Sequence, residues 1–216
     1  MKIPVERKFQ LSPIIDGARA LLLAVVLCGF FLAGCRAPGP DSNRGAGDST
    51  GPVRVRDLEG RSIDPFEVSR AKAIVFIFVR TDCPVANRYA PEVSRLERKF
   101  RGSDVKFRLI YSDADESPAM IRTHLREYNY AIEAWRDTRQ ELAKRTGVRV
   151  TPEAAVYRDG TEVYRGRIDN RYVDFGKDRT EATEHDLENV LGKIVAGEPV
   201  AFSTQRAVGC YISGLR

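Results

Sequence analysis

A-I-V-F-I-F-V-R-T-D-C-P, residues 73–84, carries the pattern from which the fold is read. Ala73 to Val79 is an unbroken run of small, β-branched and aromatic residues. A run without alternation fits a central strand covered on both faces, not a strand with one wet side. It stops at Arg80-Thr81-Asp82, and Pro84 follows Cys83. Proline at the first helical position costs no hydrogen bond, so a helix is expected to start there. Val93, Leu96 and Phe100 continue one apolar face to about Arg101, with Pro91 as the place for a kink. Cys83 thus falls where a buried strand meets a helix N-terminus. Unpaired N–H groups and the helix dipole gather at that point and favour a thiolate. A free cysteine also serves as a small buried hydrophobe. The polar flanks Thr81 and Asp82 and the strand-end position weigh toward a reactive thiol.

Outward from this joint, Val105 to Tyr111 reads as a second strand, and Ser117-Pro118 opens a helix to about Tyr128. Ile132 to Trp135 is a short strand, and Thr138 to Thr146 a helix closed by Gly147. Glu153 to Tyr157 and Glu162 to Gly166 flank an Asp159-Gly160 turn as a hairpin, and Thr183 to Ala196 is the last helix. Upstream, Val53 to Ile63 forms a small hairpin turning at Gly60. The expected class is α/β: a central mixed sheet flanked by helices, preceded by an N-terminal β-hairpin. No internal repeat is visible.

With 216 residues, 43% hydrophobic and 30% charged, the chain suits one globular domain plus flanking segments. Of the formal net charge of +5, residues 1–34 supply +2, from Lys2, Arg7, Lys8 and Arg19 against Glu6 and Asp16. The remaining charges interleave without a basic block, which gives no basis for a nucleic-acid partner. Ala20 to Ala33 is apolar but shorter than the roughly 20 residues of a bilayer-spanning helix. Basic residues before it and small residues after it describe a secretory signal. Leu32-Ala33-Gly34-Cys35 resembles the lipobox of bacterial lipoproteins. The resemblance implies cleavage before Cys35, a diacylglycerol on its sulfur and acylation of the new N-terminus, several chains together making a stable anchor. The domain plan is then residues 1–34 as a lipoprotein signal peptide, 35–52 as lipidated Cys35 and a flexible tether, and 53–213 as the folded domain. The tether is rich in Gly, Pro, Ser, Asp and Asn and lacks apolar periodicity. The expected location is the bacterial cell envelope, exported and held to a lipid bilayer through Cys35.

Of the four cysteines, Cys28 leaves with the signal, so Cys83 and Cys210 remain as thiols. No C-x-x-C pair and no Cys/His cluster with ligand spacing exists, so neither a metal nor a cofactor is expected, and Cys83 lacks spaced partners for metal ligation. His124 and His185 stand alone in polar, helix-like stretches and read as surface histidines.

Val150-Thr151-Pro152-Glu153 places a proline at the mouth of a strand, and X-Pro is the bond that tolerates cis. A strand, a cysteine at a helix start and a later Thr-Pro before an edge hairpin resemble, in that order, the thioredoxin superfamily. The resemblance implies a thioredoxin-like fold with Pro152 cis and with Thr151 and Pro152 beside Cys83, where substrate is met. Thr81 and Pro84, flanking Cys83, join them as candidate substrate-binding residues. T-D-C-P-V-A-N-R-Y-A-P at 81–91, V-T-P-E-A-A-V-Y at 150–157, Y-R-G-R-I-D-N-R-Y-V-D-F-G at 164–176 and A-V-G-C-Y-I at 207–212 resemble more closely the redoxin branch. That branch holds the peroxiredoxin-like (AhpC/TSA-type) and thiol-disulfide oxidoreductase-like proteins, and the likeness spans about residues 53–213. Three departures stand out. Ala86 occupies the place of the second cysteine of a thioredoxin-type motif, Asn87 that of the second cysteine of a copper-carrying Sco-type redoxin, and Arg80 that of the peroxiredoxin threonine.

No single activity transfers intact from these relatives. One reading is a membrane-anchored thiol redox protein, an oxidoreductase in which Cys83 attacks a protein or small-molecule disulfide or a peroxide and an external thiol reductant restores it. Cys210 is then either the resolving thiol or a buried tail residue. The other reading is a redox-silent thioredoxin-fold module that binds a protein or peptide partner.

Overall fold

The computed structural model describes residues 52–67 and 71–215. The expected signal peptide, the lipidation site Cys35 and the tether up to residue 51 lie outside the described residues. In chain order the elements are β1 (Val55–Arg56), β2 (Ser62–Ile63), β3 (Ala73–Val79), α1 (Pro84–Phe100), β4 (Val105–Tyr111), α2 (Pro118–Glu127), β5 (Glu133–Arg136) and α3 (Glu141–Thr146). There follow β6 (Val150–Thr151), β7 (Glu153–Arg158), β8 (Thr161–Gly166), β9 (Tyr172–Asp174), β10 (Lys177–Asp178), α4 (Asp186–Val195), β11 (Ser203–Gln205) and β12 (Cys210–Tyr211). None of the helices among the described residues is long and apolar enough to cross a membrane.

β3 lies between β4, which it pairs in parallel, and β7, which it pairs antiparallel, inside a sheet ordered β11-β8-β7-β3-β4-β5-β1-β2. Its unbroken apolar spelling follows from burial on both sides, since all of its residues are buried. Alternation along the strand divides them. Ala73, Val75, Ile77 and Val79 pack with Val93 and Leu96 of α1, Ile121 of α2 and Leu187 and Leu191 of α4. Ile74, Phe76 and Phe78 face the other way, onto Leu142 and Ala143 of α3, Trp135 and Ile212. Each such large side chain contributes about 1.5–3 kcal/mol by leaving water. The sheet is therefore mixed, with helices on both faces and the β1–β2 hairpin at one end, as expected from the sequence.

Two helices start later than their apolar patterns suggest, each for a local reason. α3 begins at Glu141 because Gln140 takes a left-handed φ of 57° and buried Asp137 accepts the N–H groups of Leu142 and Ala143 at 3.2 and 2.8 Å. α4 begins at Asp186 because Asn170 Oδ1 accepts the N–H groups of Thr183 and Glu184 at 2.8 and 3.1 Å, holding them in a loop. The short strands β6 and β9 to β12 have no counterpart in the sequence reading. Four of them lie in the segment after residue 170, and one of these, β12, reaches the site.

Candidate active site

Cys83 is the N-cap of α1, with φ −83° and ψ 108°. Extended backbone there is what an N-cap requires, and Pro84 supplies the next helical φ without losing a hydrogen bond. The Cys83 sulfur accepts the Ala86 N–H at 3.4 Å and donates to the Thr151 carbonyl at 3.0 Å. It is fully buried. The Thr151–Pro152 bond is cis, and both residues are buried beside the sulfur. Pro84 is exposed and Thr81 half-buried, with the Thr81 N–H donated to Glu116 Oε1 at 2.6 Å. Burial raises the Glu116 carboxyl above the ordinary carboxylate range, although the bonds from Thr81 pull it down.

The cover over Cys83 is the tail. β12 pairs antiparallel with β6, setting Cys210 opposite Thr151 and Tyr211 opposite Val150. Ile212 is buried and donates its N–H to the Arg149 carbonyl at 3.0 Å. Gln140 Nε2 donates to the Ser213 carbonyl at 2.6 Å, and Arg80 Nη1 to Ser213 Oγ at 3.2 Å. Both Cys83 and Cys210 are free thiols. Cys210 is pushed up to about 12, first by burial, then by its hydrogen bond and charge interaction with Cys83 and by Asp82, against the opposing pull of Arg80. At neutral pH Cys210 therefore carries its proton.

Sequence reasoning missed the support beneath this loop. His124, expected at the surface, is 3% exposed, packed among the rings of Tyr111, Tyr128 and Tyr130. Its Nε2 lies 2.8 Å from Asn87 Oδ1 and its Nδ1 2.8 Å from the Tyr111 hydroxyl. Asn87 Nδ2 donates to the Thr81 carbonyl at 3.0 Å. That direction leaves Oδ1 as acceptor, so Nε2 bears the proton and Tyr111 donates to Nδ1. Every member is satisfied with His124 neutral, and burial lowers its pKa accordingly. His185 is exposed, as expected. The motif at 164–176 braces α1: Tyr89 donates its hydroxyl to Asp169 at 2.5 Å and packs against Tyr172 with ring centroids 5.4 Å apart.

Among the described residues, Glu92, His185 and Glu188 place ligand atoms within 4.8 Å of one another, the geometry of a metal site. Arg95 already donates to both carboxylates and Lys99 to Glu188, so their charge is spent on cations of the chain.

A family model described as the AhpC/TSA family matches residues 46–166, more than half of the chain. Among solved structures, an uncharacterised conserved protein from Geobacillus kaustophilus is similar at 23% identity and a TM-score of 0.66, covering 78% of this chain and 91% of that one. A hypothetical protein from Sinorhizobium meliloti is similar at 21% identity and a TM-score of 0.63, covering 74% of this chain and 88% of that one. No curated protein matches the chain. The family match ends at Gly166, ahead of the tail that covers Cys83.

Proposed function

The chain belongs to the AhpC/TSA family, and on that premise we propose that it is a thiol redox protein in which Cys83 is the reactive thiol and Cys210 resolves it. The observation that supports this most is the pairing of β12 with β6, which brings Cys210 to the carbonyl that receives the Cys83 thiol. The Cys83 thiolate attacks one sulfur of a disulfide and expels the other as a thiolate, or attacks a peroxide oxygen and becomes a sulfenic acid as the alcohol leaves. Cys210 then attacks the Cys83 sulfur, expelling the bound thiol or water. The pair loses two electrons and two protons and ends as a Cys83–Cys210 disulfide, which an external thiol reductant reopens by exchange. The order of events follows from Cys210. Its interactions with Cys83 are among the causes that hold its proton, and consuming the Cys83 thiol removes them. Cys210 is thus a poor first attacker and a better second one.

The same reading places the domain in the bacterial cell envelope, exported and anchored through lipid on Cys35, on the strength of the Leu32-Ala33-Gly34-Cys35 spelling after an apolar run. The redox-silent binding module draws support from the complete burial of Cys83 and from Ala86 in place of a second motif cysteine. Mild oxidation followed by alkylation and peptide mass mapping separates the two. The redox reading expects a linked Cys83–Cys210 peptide that reductant abolishes and that Cys83→Ser never forms. Two thiols that stay free through oxidation by peroxide and by disulfide decide for the binding module.

A further inference from the structure

The tail crosses the site at one point where no side chain fits. A β-carbon on Gly209 would stand 2.0 Å from the Thr151 oxygen, 2.6 Å from its carbonyl carbon and 3.2 Å from Pro152 N. All three are backbone atoms of the peptide that also receives the Cys83 thiol, so no rotamer change relieves the clash. Gly209 is therefore what allows the segment to lie flat on this peptide and carry Cys210 to Cys83. Beyond Cys210 the chain is held by Ile212, seated among Leu142, Val148 and Trp135. The cavity left between the tail and the site, lined by Val79, Arg80, Thr151 and Ile212 among others, is 10 Å³, room for about one water. With the tail in place, no foreign polypeptide reaches the sulfur.

We propose that Gly209 is a specificity-determining residue: it seats the tail as a built-in occupant of the β6 edge, so that Cys83 meets the chain's own Cys210 while disulfides and thiols of larger size are kept out. This rests on Cys83 being the reactive thiol. The edge of β6 offers the backbone groups of Val150 and Thr151, and an extended chain satisfies them by strand pairing. β12 takes that place, and access to Cys83 by anything larger than a small solute then follows the fraction of molecules whose tail has lifted.

The test uses the full chain as wild type, Gly209→Ala and Ile212→Ala. Ile212→Ala loosens the same segment from its apolar end without touching Thr151. Each protein is treated with 5,5′-dithiobis(2-nitrobenzoate), a bulky disulfide, and separately with limiting hydrogen peroxide, and modification at Cys83 and Cys210 is read by peptide mass. In Gly209→Ala, capture of Cys83 by the bulky disulfide should rise about tenfold or more, the factor that a loss of about 1.4 kcal/mol in tail docking gives. The yield of Cys83–Cys210 bridge after peroxide should fall at the same time. Ile212→Ala should shift both readings in the same direction. A merely structural glycine would move neither in this opposed way. Unchanged capture and bridging in both variants overturns the proposal. Where Gly209→Ala does not fold, Ile212→Ala decides alone, faster capture supporting the proposal and unchanged capture overturning it. If wild type forms no bridge while the variants still uncover Cys83, the seating role of Gly209 stands and the resolving role of Cys210 fails. If Cys83 reacts with neither reagent in any variant, the redox reading falls and this proposal with it.

Discussion

Replacing His124 by Gln tests the buried chain of hydrogen bonds that holds the loop bearing Cys83. In the fold His124 is neutral, hydrogen-bonded at both nitrogens, and its pKa lies below the ordinary 6.5 because burial penalises the cation. A histidine lowered by folding stabilises the native state above its unfolded pKa, and that contribution is lost as pH falls through 6.5 toward the folded value. Protonation of the unfolded chain alone would withdraw at most about 2 kcal/mol between about pH 7.5 and 5.0. Glu127 favours the charged form and keeps the realised loss below that ceiling. Glutamine has an amide N–H that donates to Asn87 but no group that titrates. Urea denaturation at both pH values should therefore show His124→Gln less stable than wild type at the higher pH, with the gap narrowing at the lower. Raised carboxylates such as Glu116 and Glu153 shift both proteins equally and cancel in the comparison. Equal gaps at both pH values would refute the assignment of a neutral, buried His124.

Three further outcomes are expected. Glu188 is held down to about 2 by Arg95 first and then Lys99, so its contribution is present above the ordinary 4.5 and is lost as pH falls toward 2. With both cations largely in water, Glu188→Gln should cost only roughly 1 kcal/mol at neutral pH, a gap in chemical denaturation that about 1 M salt closes. Asp137 is pushed up to about 6 by burial against the pull of the α3 N–H groups, so its contribution is full below the ordinary 3.8 and is lost as pH rises through 6. Asp137→Asn should remove that share of the decline, read as denaturation midpoints that fall less than those of wild type over this range, Glu116, Glu153 and Glu162 supplying the remainder in both proteins. For the anchor, cells fed an alkyne-tagged fatty acid should label the wild-type chain and not Cys35→Ala, and equal labelling of both would discard the lipobox.

The parts of the fold legible in the sequence are those whose environment is uniform along a segment. Ala73 to Val79 announces itself because both faces are buried, and Pro84 marks its helix because ring geometry acts locally. His124 escaped because its neighbours in sequence, Arg122, Thr123 and Arg126, are polar, while the tyrosines that bury it come from β4 and from the turn after α2. Asp137 and Asn170 delayed two helices through side-chain bonds that no apolar period records. β12 is two residues long and exists because β6 waits for it, so nothing within A-V-G-C-Y-I marks it as a strand. The glycine in that motif was visible, but the carbonyl it passes was not.

The bonds that pin the tail join positions 59, 73 and 133 residues apart in sequence. Closing such long loops must precede any reward from the contacts they bring, so contacts of this range are placed late in folding. Contacts absent at the barrier are felt in the unfolding rate and hardly in the refolding rate. Loosening the tail at Gly209 or Ile212 should therefore steepen unfolding and leave refolding as it was. A refolding chain then passes through a period in which β3 and α1 are built and Cys83 is still bare. During that period, with peroxide or a small disulfide present to take up the two electrons, Cys83 is open to a thiol of a neighbouring chain as well as to its own Cys210, and crosslinked dimers formed under that oxidant are the form in which a delayed tail would first be noticed.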